Sequence, residues 1–327
     1  MSGHSPLKSG DRISPLDHPL HLKWGGSLLL ILLLLPHILQ SMGQDFYVGM
    51  ASRILIFALA ASSLNLVLGF GGLVSFGHAA FVGLGGYAVG VLMQHGVASA
   101  WLAWPLAALV AGLVAVLIGA VSLRTQGVYF IMITLAFAQM LYYLAVSLKV
   151  YGGDDGLMLP TRNTLAPGFD LGTDATFYYT VLALFVAAFL AAHRWVNSPW
   201  GHALQAVRDN GDRMAALGHP VLRIRLTAFV LGGALAGLAG ALLANQASFV
   251  SPAGMAWSQS GMLMVMVILG GVGRLYGGLA GATLFLVAEE VLAAYTMHWQ
   301  LGLGLLLLAV VLRAPNGLLS LWMSKSQ

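Results

Sequence analysis

The sequence predicts an all-α protein, a polytopic bundle of transmembrane helices with about ten spans. Of its 327 residues, 59% are hydrophobic and only 8% are charged, whereas soluble domains carry about 25% charged residues. The mean hydropathy of +0.85 points the same way. Apolar runs close to the roughly 20 residues that a helix needs to cross a bilayer recur along the chain. A water-soluble fold is therefore excluded.

The ten predicted spans form a transmembrane domain at residues 24–312, flanked by polar tails at 1–23 and 313–327. The first apolar run lacks a small-residue cleavage site, so we interpret it as an uncleaved span and not as a signal peptide. Glycine-rich stretches interrupt two runs, which indicates broken or re-entrant segments. In order, the spans are 24–39, 49–68, 79–94, 101–123, 128–148, 177–192, 226–245, 260–269, 279–297 and 301–312.

The basic residues predict that the N-terminus and the C-terminus are both cytoplasmic. Cytoplasmic loops carry an excess of Lys and Arg, and this topology places 12 of the 15 basic residues there, leaving Arg53, Lys149 and Arg162 at or near the outer side. Loop asymmetry thus explains the pI near 9.4 better than nucleic-acid binding does. The cytoplasmic set is Lys8, Arg12, Lys23, Arg124, Arg194, Arg208, Arg213, Arg223, Arg225, Arg274, Arg313 and Lys325.

The longest charged interruption, residues 194–225, is predicted to form two short amphipathic helices joined by an elbow. In the first helix, Ser198 is an N-cap and Pro199 takes the first helical position. Trp200, Leu204 and Val207 recur at helical spacing and so are expected to share one apolar face. An ordinary solvated loop between spans is the alternative interpretation.

The second helix of this segment is predicted from its punctuation. Asn210 and Gly211 form a turn pair, Asp212 is expected to cap the helix, and Gly218 followed by Pro220 ends it. Met214 and Leu217 continue an apolar stripe.

Two glycine clusters, residues 69–78 and 270–278, lie in different halves of the chain, and each interrupts an apolar run. Paired broken spans of this kind indicate the central site of a transporter, because unwound backbone at membrane depth needs protein or a water-filled cavity around it. Close helix packing without a ligand is the alternative. On the transporter interpretation, the residues that line or shape the path are Gly71, Gly72, Ser75, Gly270 and Gly271.

Polar side chains within the spans are further candidates for the path. Glu289 and Glu290 are the acidic residues deep in a span, and Glu289 is assigned to the path, although a structural hydrogen bond or a contact with a partner subunit is favoured over a proton relay. His78 follows a glycine break and is expected to cap a half-helix. Thr134 and Gln139 lie inside an apolar span, where hydrogen bonding between helices is the simpler role.

The outer loop, residues 149–176, is the largest on its side and opens with Asp154 and Asp155 between glycines. A solvated connector is the favoured interpretation, and a docking surface for an external protein is the alternative.

The motifs that are missing narrow the function. No P-loop, zinc-protease or nucleophile-elbow motif occurs, and the chain has no cysteine, so we assign no catalytic and no metal-binding residue. Three classes remain: a membrane subunit moved by a separate ATPase, an ion-coupled secondary transporter that uses Glu289 or Glu290, and a membrane-embedded enzyme. The amphipathic elbow favours the first class, since such a subunit needs a cytoplasmic docking element.

Several motifs together resemble the M-type permease subunit of branched-chain amino acid ABC transporters. The segment from Ser198 to Gly218 resembles the coupling segment of that family, and residues 64–81 resemble its signature. Further similarities, in the same order as in the family, lie at residues 125–130, 152–157, 269–273 and 313–318.

The resemblance implies a multi-pass permease of the bacterial inner membrane that works by alternating access. Its solute would be leucine, isoleucine or valine, with urea or short amides as alternatives. Implied partners are an H-type permease, two cytoplasmic ATP-binding subunits that bind the ATP, and an extracytoplasmic substrate-binding protein; the chain itself would hold no cofactor. Asp154 and Asp155 would contact the binding protein. The residues that would contact the ATPase are Arg208, Asp209, Asn210, Ala215, Leu217 and Gly218.

Overall fold

The computed structural model describes residues 22–41, 43–44, 46–165, 171–314 and 317, which leaves most of the two predicted tails and residues 166–170 of the outer loop outside. The described chain is almost entirely helical, which confirms the all-α class. Its helices are α1 (Leu22–Ser41), α2 (Phe46–Asn65), α3 (His78–Gln94), α4 (Ala100–Ser122), α5 (Val128–Ser147), α6 (Asp174–Val196), α7 (Pro199–Asp209), α8 (Gly211–Ala216), α9 (Val221–Ala247), α10 (Trp257–Gly270), α11 (Gly277–Tyr295) and α12 (Trp299–Arg313).

Ten of the helices in the described residues are apolar, and they begin and end within a few residues of the ten predicted spans. Six are long and apolar enough to cross a membrane: α2 with its continuation to Phe70, α4, α5, α6, α9 and α11. The other four are shorter: α1 when counted from Gly25, α3, α10 and α12. The chain therefore has the helices of a membrane protein, whereas ten full crossings and the cytoplasmic side of the termini stay predictions.

Helix α9 lies at the centre of the bundle, packed against α2, α3 and α4. Its small residues allow this, because small side chains let the backbones of neighbouring helices in a membrane approach each other closely. Ala236, Ala239 and Ala244 on α9 are buried. A Cβ atom on Gly240 would overlap the carbonyl oxygen of Val82 in α3. The α3–α9 contact is thus a backbone-to-backbone contact.

We expect Gly240→Leu to destabilise the folded bundle by about 2 kcal/mol or more, because overpacking a close contact costs about 1–3 kcal/mol. Thermal unfolding of the purified protein in detergent measures the effect. Gly304→Leu on α12 is the matched control, since a Cβ there meets no atom within 4 Å. Equal unfolding temperatures for the two variants would contradict the close contact.

The two ends of the bundle differ in construction. One end carries α7, α8 and both glycine-rich breaks. The other carries the α5–α6 connector, in which strand β1 (Leu157–Met158) pairs antiparallel with β2 (Phe249–Val250) of the α9–α10 connector. Asn163 and Asn245 join the same two connectors: the Asn163 N–H donates to Asn245 Oδ1 over 2.7 Å, and Asn245 Nδ2 donates to Asn163 Oδ1 over 2.8 Å.

Large apolar side chains remain exposed on the outside of the bundle, above all on α4 and α5. Trp101 is 72% exposed, Tyr129 is 76% exposed and Met140 is 64% exposed. Such a surface suits lipid or another membrane subunit, since water would penalise it.

Candidate functional site

The first predicted glycine break is present and lies where α2 ends. After Asn65 the helix widens into one π-helical turn, Leu66–Phe70, and the chain then runs without regular structure until α3 begins at His78. Gly72 adopts a φ of +68°, a conformation that glycine accepts without the cost other residues have. Single π-helical turns such as Leu66–Phe70 often occur at functional sites. The break is therefore confirmed in position.

The second glycine break separates α10 from α11. The end of α10 turns at Gly271, with a φ of +121°, and at Gly273, with a φ of +74°. Helices α10 and α11 then pack so closely that a Cβ on Gly270 would overlap the carbonyl oxygen of Gly277. This glycine thus serves close packing, which is the alternative that the sequence left open.

The two breaks touch each other, although about 200 residues separate them in the sequence. Asn65 joins them: its Nδ2 donates to the carbonyl oxygen of Arg274 over 2.8 Å, and its Oδ1 accepts from the N–H of Gly273 over 2.9 Å. A Cβ on Gly69 would overlap both Asn65 Oδ1 and the backbone of Gly273. We call this contact, formed by residues 65–73 and 270–274, the glycine junction.

Sequence reasoning did not single out Asn65. A signal was present, since an asparagine in a long apolar run costs free energy unless its amide is hydrogen-bonded. Asn65 is only 2% exposed, and both polar groups of its side chain bond to backbone of the second break, at Gly273 and Arg274.

Helix α7 packs against the glycine junction with one face. Leu204 and Val207 are buried there, as predicted from their spacing. Trp200 is 48% exposed, so its expected place on that face is wrong. It lies with Pro199 at the start of α7, and both residues are exposed. The predicted cap is confirmed, because Ser198 Oγ accepts from the N–H of Gly201 over 3.3 Å.

Helix α8 is capped by Asn210 and not, as predicted, by Asp212. Asn210 Oδ1 accepts from the N–H of Arg213 over 2.9 Å, which makes Asn210 the residue that satisfies the first free donors of the helix. Asp212 falls inside the first turn. Gly218 ends the helix with a φ of +85°, as predicted. The elbow exists, and one residue serves both as its turn and as its cap.

The outer face of the elbow, which is the side turned away from the bundle, is open to solvent. Asp209, Asn210, Ala215 and Gly218 are exposed, and Leu217 is 69% exposed. No helix of the described chain covers this apolar side chain. The predicted coupling residues therefore lie together on one surface, except Arg208, whose guanidinium turns towards the bundle: Nη1 donates to the carbonyl oxygen of Gly69 over 2.9 Å.

Three of the predicted path residues meet at the N-terminal end of α3. Ser75, His78 and Thr134 are all buried. His78 Nε2 lies 2.8 Å from Ser63 Oγ, and the N–H of Gly77 donates to Ser75 Oγ over 3.2 Å. A Cβ on Gly77 would contact the backbone and side chain of Thr134. The structure thus brings a small polar cluster to the start of α3, inside the bundle.

Ser260 of α10 completes this polar cluster and was not predicted. Its Oγ accepts from the N–H of Ala79 over 2.9 Å, which satisfies a free donor in the first turn of α3. Gln139 lies more than one turn beyond Thr134 on α5 and is half-buried.

Glu289 is separated from the glycine junction. It lies twelve positions beyond Gly277 on α11, which corresponds to about 18 Å along a helix. Its Oε1 lies 3.7 Å from Arg53 Nη2 on α2. Arg53 was predicted at the outer side, so the pair ties α2 to α11 towards that end. This ion pair agrees with the structural role that the sequence left open for Glu289.

The outer loop is anchored to the bundle. Gly152, Gly153 and Gly156 adopt positive φ angles around a short 3-10 turn, Gly153–Asp155, which presents Asp154 and Asp155 to solvent. The strand pair and the Asn163–Asn245 hydrogen bonds hold residues 157–163 of the loop against the end of α9. The acidic turn is thus exposed, as both interpretations of the loop require.

A comparison with known protein families decides the assignment of the chain. The family model described as "Branched-chain amino acid transport system / permease component" matches residues 46–312. The chain belongs to this family. The match covers the glycine junction, the elbow and every apolar helix except α1 and the very end of α12, so the resemblance drawn from the motifs is confirmed.

Individual relatives agree with this family. The high-affinity branched-chain amino acid transport system permease protein LivM of Salmonella typhimurium is 30% identical over 295 residues, which cover 83% of this chain and 69% of the relative. LivM of Escherichia coli is 28% identical with the same coverage. The L-arabinose ABC transporter permease protein AraH of Azospirillum brasilense is 26% identical over 192 residues, 55% of each chain. No solved structure matches this chain significantly.

Proposed function

We propose that this chain is one membrane-spanning subunit of an ATP-driven importer in the bacterial inner membrane, and that it forms part of the path for leucine, isoleucine and valine. The observation that carries the proposal is the exposed elbow of α7 and α8, set at the same end of the bundle as the glycine junction. Membership of the permease family supports it.

The elbow has the properties of a docking element for a cytoplasmic protein. Leu217 is exposed on the same short segment as the polar residues Asp209 and Asn210, which are exposed too. Binding interfaces commonly combine a buried apolar anchor with a polar rim. The chain carries no P-loop, and the energy for uptake would therefore come from two ATP-binding subunits that bind the elbow and hold the ATP.

The transport cycle would follow from movement of the elbow. Closure of the ATP-binding subunits would move the elbow, and the helices that meet at the glycine junction would then change which side of the path is open. A ligand drives such a change only through different affinities for the two states. A second permease subunit of the H type would complete the path along an exposed apolar face.

The solute is proposed from the relatives, two of which are named for branched-chain amino acids. The third is named for L-arabinose, which makes a sugar a necessary competitor in any uptake assay, together with urea and short amides. An extracytoplasmic binding protein would select the solute before it reaches this chain.

Reconstitution tests the proposal directly. The complex of both permeases, the ATP-binding subunits and the binding protein is placed in proteoliposomes, and accumulation of radiolabelled leucine is measured. We expect uptake that needs both ATP and the binding protein, and that isoleucine and valine inhibit. Leucine uptake driven by a proton gradient without ATP would instead favour ion coupling through Glu289. Inhibition by L-arabinose or urea alone would reassign the solute.

Charge reversal of the acidic turn is expected to lower uptake. The double variant Asp154→Lys with Asp155→Lys should reduce maximal leucine uptake about tenfold, because like charges placed opposite each other at an interface cost several kcal/mol. The same reconstituted complex measures it, over a range of binding-protein concentrations. The variant with Asn at both positions removes the charge without reversing it and should lose less. Unchanged uptake in the Lys variant would place docking elsewhere.

A further inference from the structure

Arg208 occupies a different position from the other residues of the elbow. Its side chain is 36% exposed, and its guanidinium is divided between two partners. Nη2 lies 3.1 Å from Asp209 Oδ1 on the solvent side, while Nη1 donates to the carbonyl oxygen of Gly69 over 2.9 Å. The arginine thus reaches from the elbow into the glycine junction.

The acceptor of this hydrogen bond lies at the C-terminal end of a helix. Gly69 belongs to the π-helical turn that ends α2, where carbonyl groups lack partners within the helix and carry partial negative charge. A guanidinium placed there makes a charge-assisted hydrogen bond, which is stronger than one between neutral groups. The bond is therefore a directional link between α7 and α2.

The second break is within reach of the same guanidinium. A Cβ built on Gly273 would lie 3.6 Å from Arg208 Nη1 and 3.3 Å from the carbonyl oxygen of Gly69. Asn65 already joins Gly273 and Arg274 to the end of α2. Arg208 therefore contacts the point at which both broken helices meet.

The side chain of Arg208 runs so close to the backbone of Gly72 that a glycine is needed at this position. A Cβ on Gly72 would lie 2.7 Å from Arg208 Cγ, closer than real side chains approach. One turn earlier on α7, Leu204 is buried and lies near Gly71. Leu204 thus makes an apolar contact that has no preferred direction, whereas Arg208 makes a directional one.

We propose that Arg208 is a positioning residue that makes the elbow and the two broken helices move together, and that the exposed residues 209–218 alone bind the ATPase. The inference rests on the proposed function, which gives the elbow its partner. It separates two tasks within one short segment. The solvent-exposed residues would bind the ATP-binding subunits, and Arg208 would transmit the movement of those subunits to the membrane helices.

Uptake and ATP hydrolysis distinguish the two tasks. In the reconstituted complex, Arg208→Ala should retain the ATP-binding subunits and hydrolyse ATP at a rate within about twofold of the parent, while uptake falls about tenfold, because the lost bond is a charge-assisted one. Arg208→Lys keeps the charge but not the planar fork, so it should recover part of the uptake. Leu217→Ala, on the outer face, should instead weaken retention of the ATP-binding subunits.

Loss of the ATP-binding subunits from Arg208→Ala, to the same degree as from Leu217→Ala, would make Arg208 a docking residue and overturn the inference. Normal uptake in Arg208→Ala would overturn it as well. Absence of ATP-driven uptake in the parent complex would be a failure of the proposed function instead, and it is visible before any variant is made.

A distance measurement tests the mechanical link without any transport. The chain has no cysteine, so spin labels can be placed through Trp200→Cys on α7 and Val272→Cys in the second break, both of which are 48% exposed. With Arg208 in place, the labelled complex should give one narrow distance distribution that ATP analogues leave unchanged. Adding Arg208→Ala should broaden it and let the nucleotide shift it. An equally narrow, unshifted distribution in that variant would overturn the inference.

Discussion

Gly218→Trp is expected to lower uptake by weakening the docking of the ATP-binding subunits, while the folded permease stays in the membrane. Gly218 ends α8 on the exposed surface of the elbow, and a Cβ there meets no atom within 4 Å. The chain itself has room for the new side chain, so only a docked partner would collide with it. We expect uptake to fall about a hundredfold, the factor that corresponds to roughly 3 kcal/mol of overpacking at a close contact. Leucine uptake and ATP hydrolysis are measured on the same proteoliposomes.

Gly96→Trp is the matched control for this variant. Gly96 lies in the α3–α4 connector with a φ of +81°, close to the +85° of Gly218, and it too has open space around it. Both variants carry the cost of about 1–2 kcal/mol for a left-handed residue other than glycine. Only the elbow variant should lose coupling. Equal losses of uptake in the two would show that backbone strain, and not docking, is responsible.

Gly72→Leu is expected to lower uptake about tenfold by displacing Arg208 from the glycine junction, which removes a charge-assisted hydrogen bond. The new Cβ would lie 2.7 Å from Arg208 Cγ, and a leucine extends further in the same direction. The assay is ATP-driven uptake of leucine, together with thermal unfolding of the purified protein to measure stability.

Gly43→Leu separates this effect from backbone strain. Gly43 has a φ of +69° against +68° for Gly72, and a Cβ on it meets no atom within 4 Å. Strain should therefore be nearly equal in the two variants, and the loss of uptake should belong to Gly72→Leu alone. Unaltered uptake in that variant would favour helix packing elsewhere as the role of the first glycine cluster.

The helices could be predicted from the sequence because the information about them is local. Twenty apolar residues in succession have few alternatives to a transmembrane helix. Ser198 marks a helix start through a hydrogen bond within one turn, Pro199 through its fixed φ, and Gly218 marks a helix end through its positive φ. The elbow and both glycine breaks were therefore found at their positions.

The contacts between these elements could not be predicted in the same way. Asn65 bonds to Gly273 and Arg274, which lie 208 and 209 positions further along the chain. Ser260 bonds to the N–H of Ala79, which is 181 positions away. No periodicity relates such partners, because they meet only once the bundle is packed. The sequence accordingly identified Arg208 as part of the elbow without indicating that its guanidinium turns inward.

The two corrections at the elbow have a related cause. Asp212 and Asn210 are both good capping residues, and the choice between them depends on where the backbone leaves α7. Trp200 has the spacing of a buried residue, but it lies at the start of α7, where it and Pro199 are exposed.

The strand pair at the outer end limits how this subunit can open. Leu157 and Met158 bond to Val250 and Phe249, and Asn163 bonds to Asn245, so the segments that follow α5 and α9 form one clasp. A gate at this end cannot hinge between those two helices without breaking several backbone hydrogen bonds at once. We therefore expect α5 and α9 to move together at this end if the subunit opens outward.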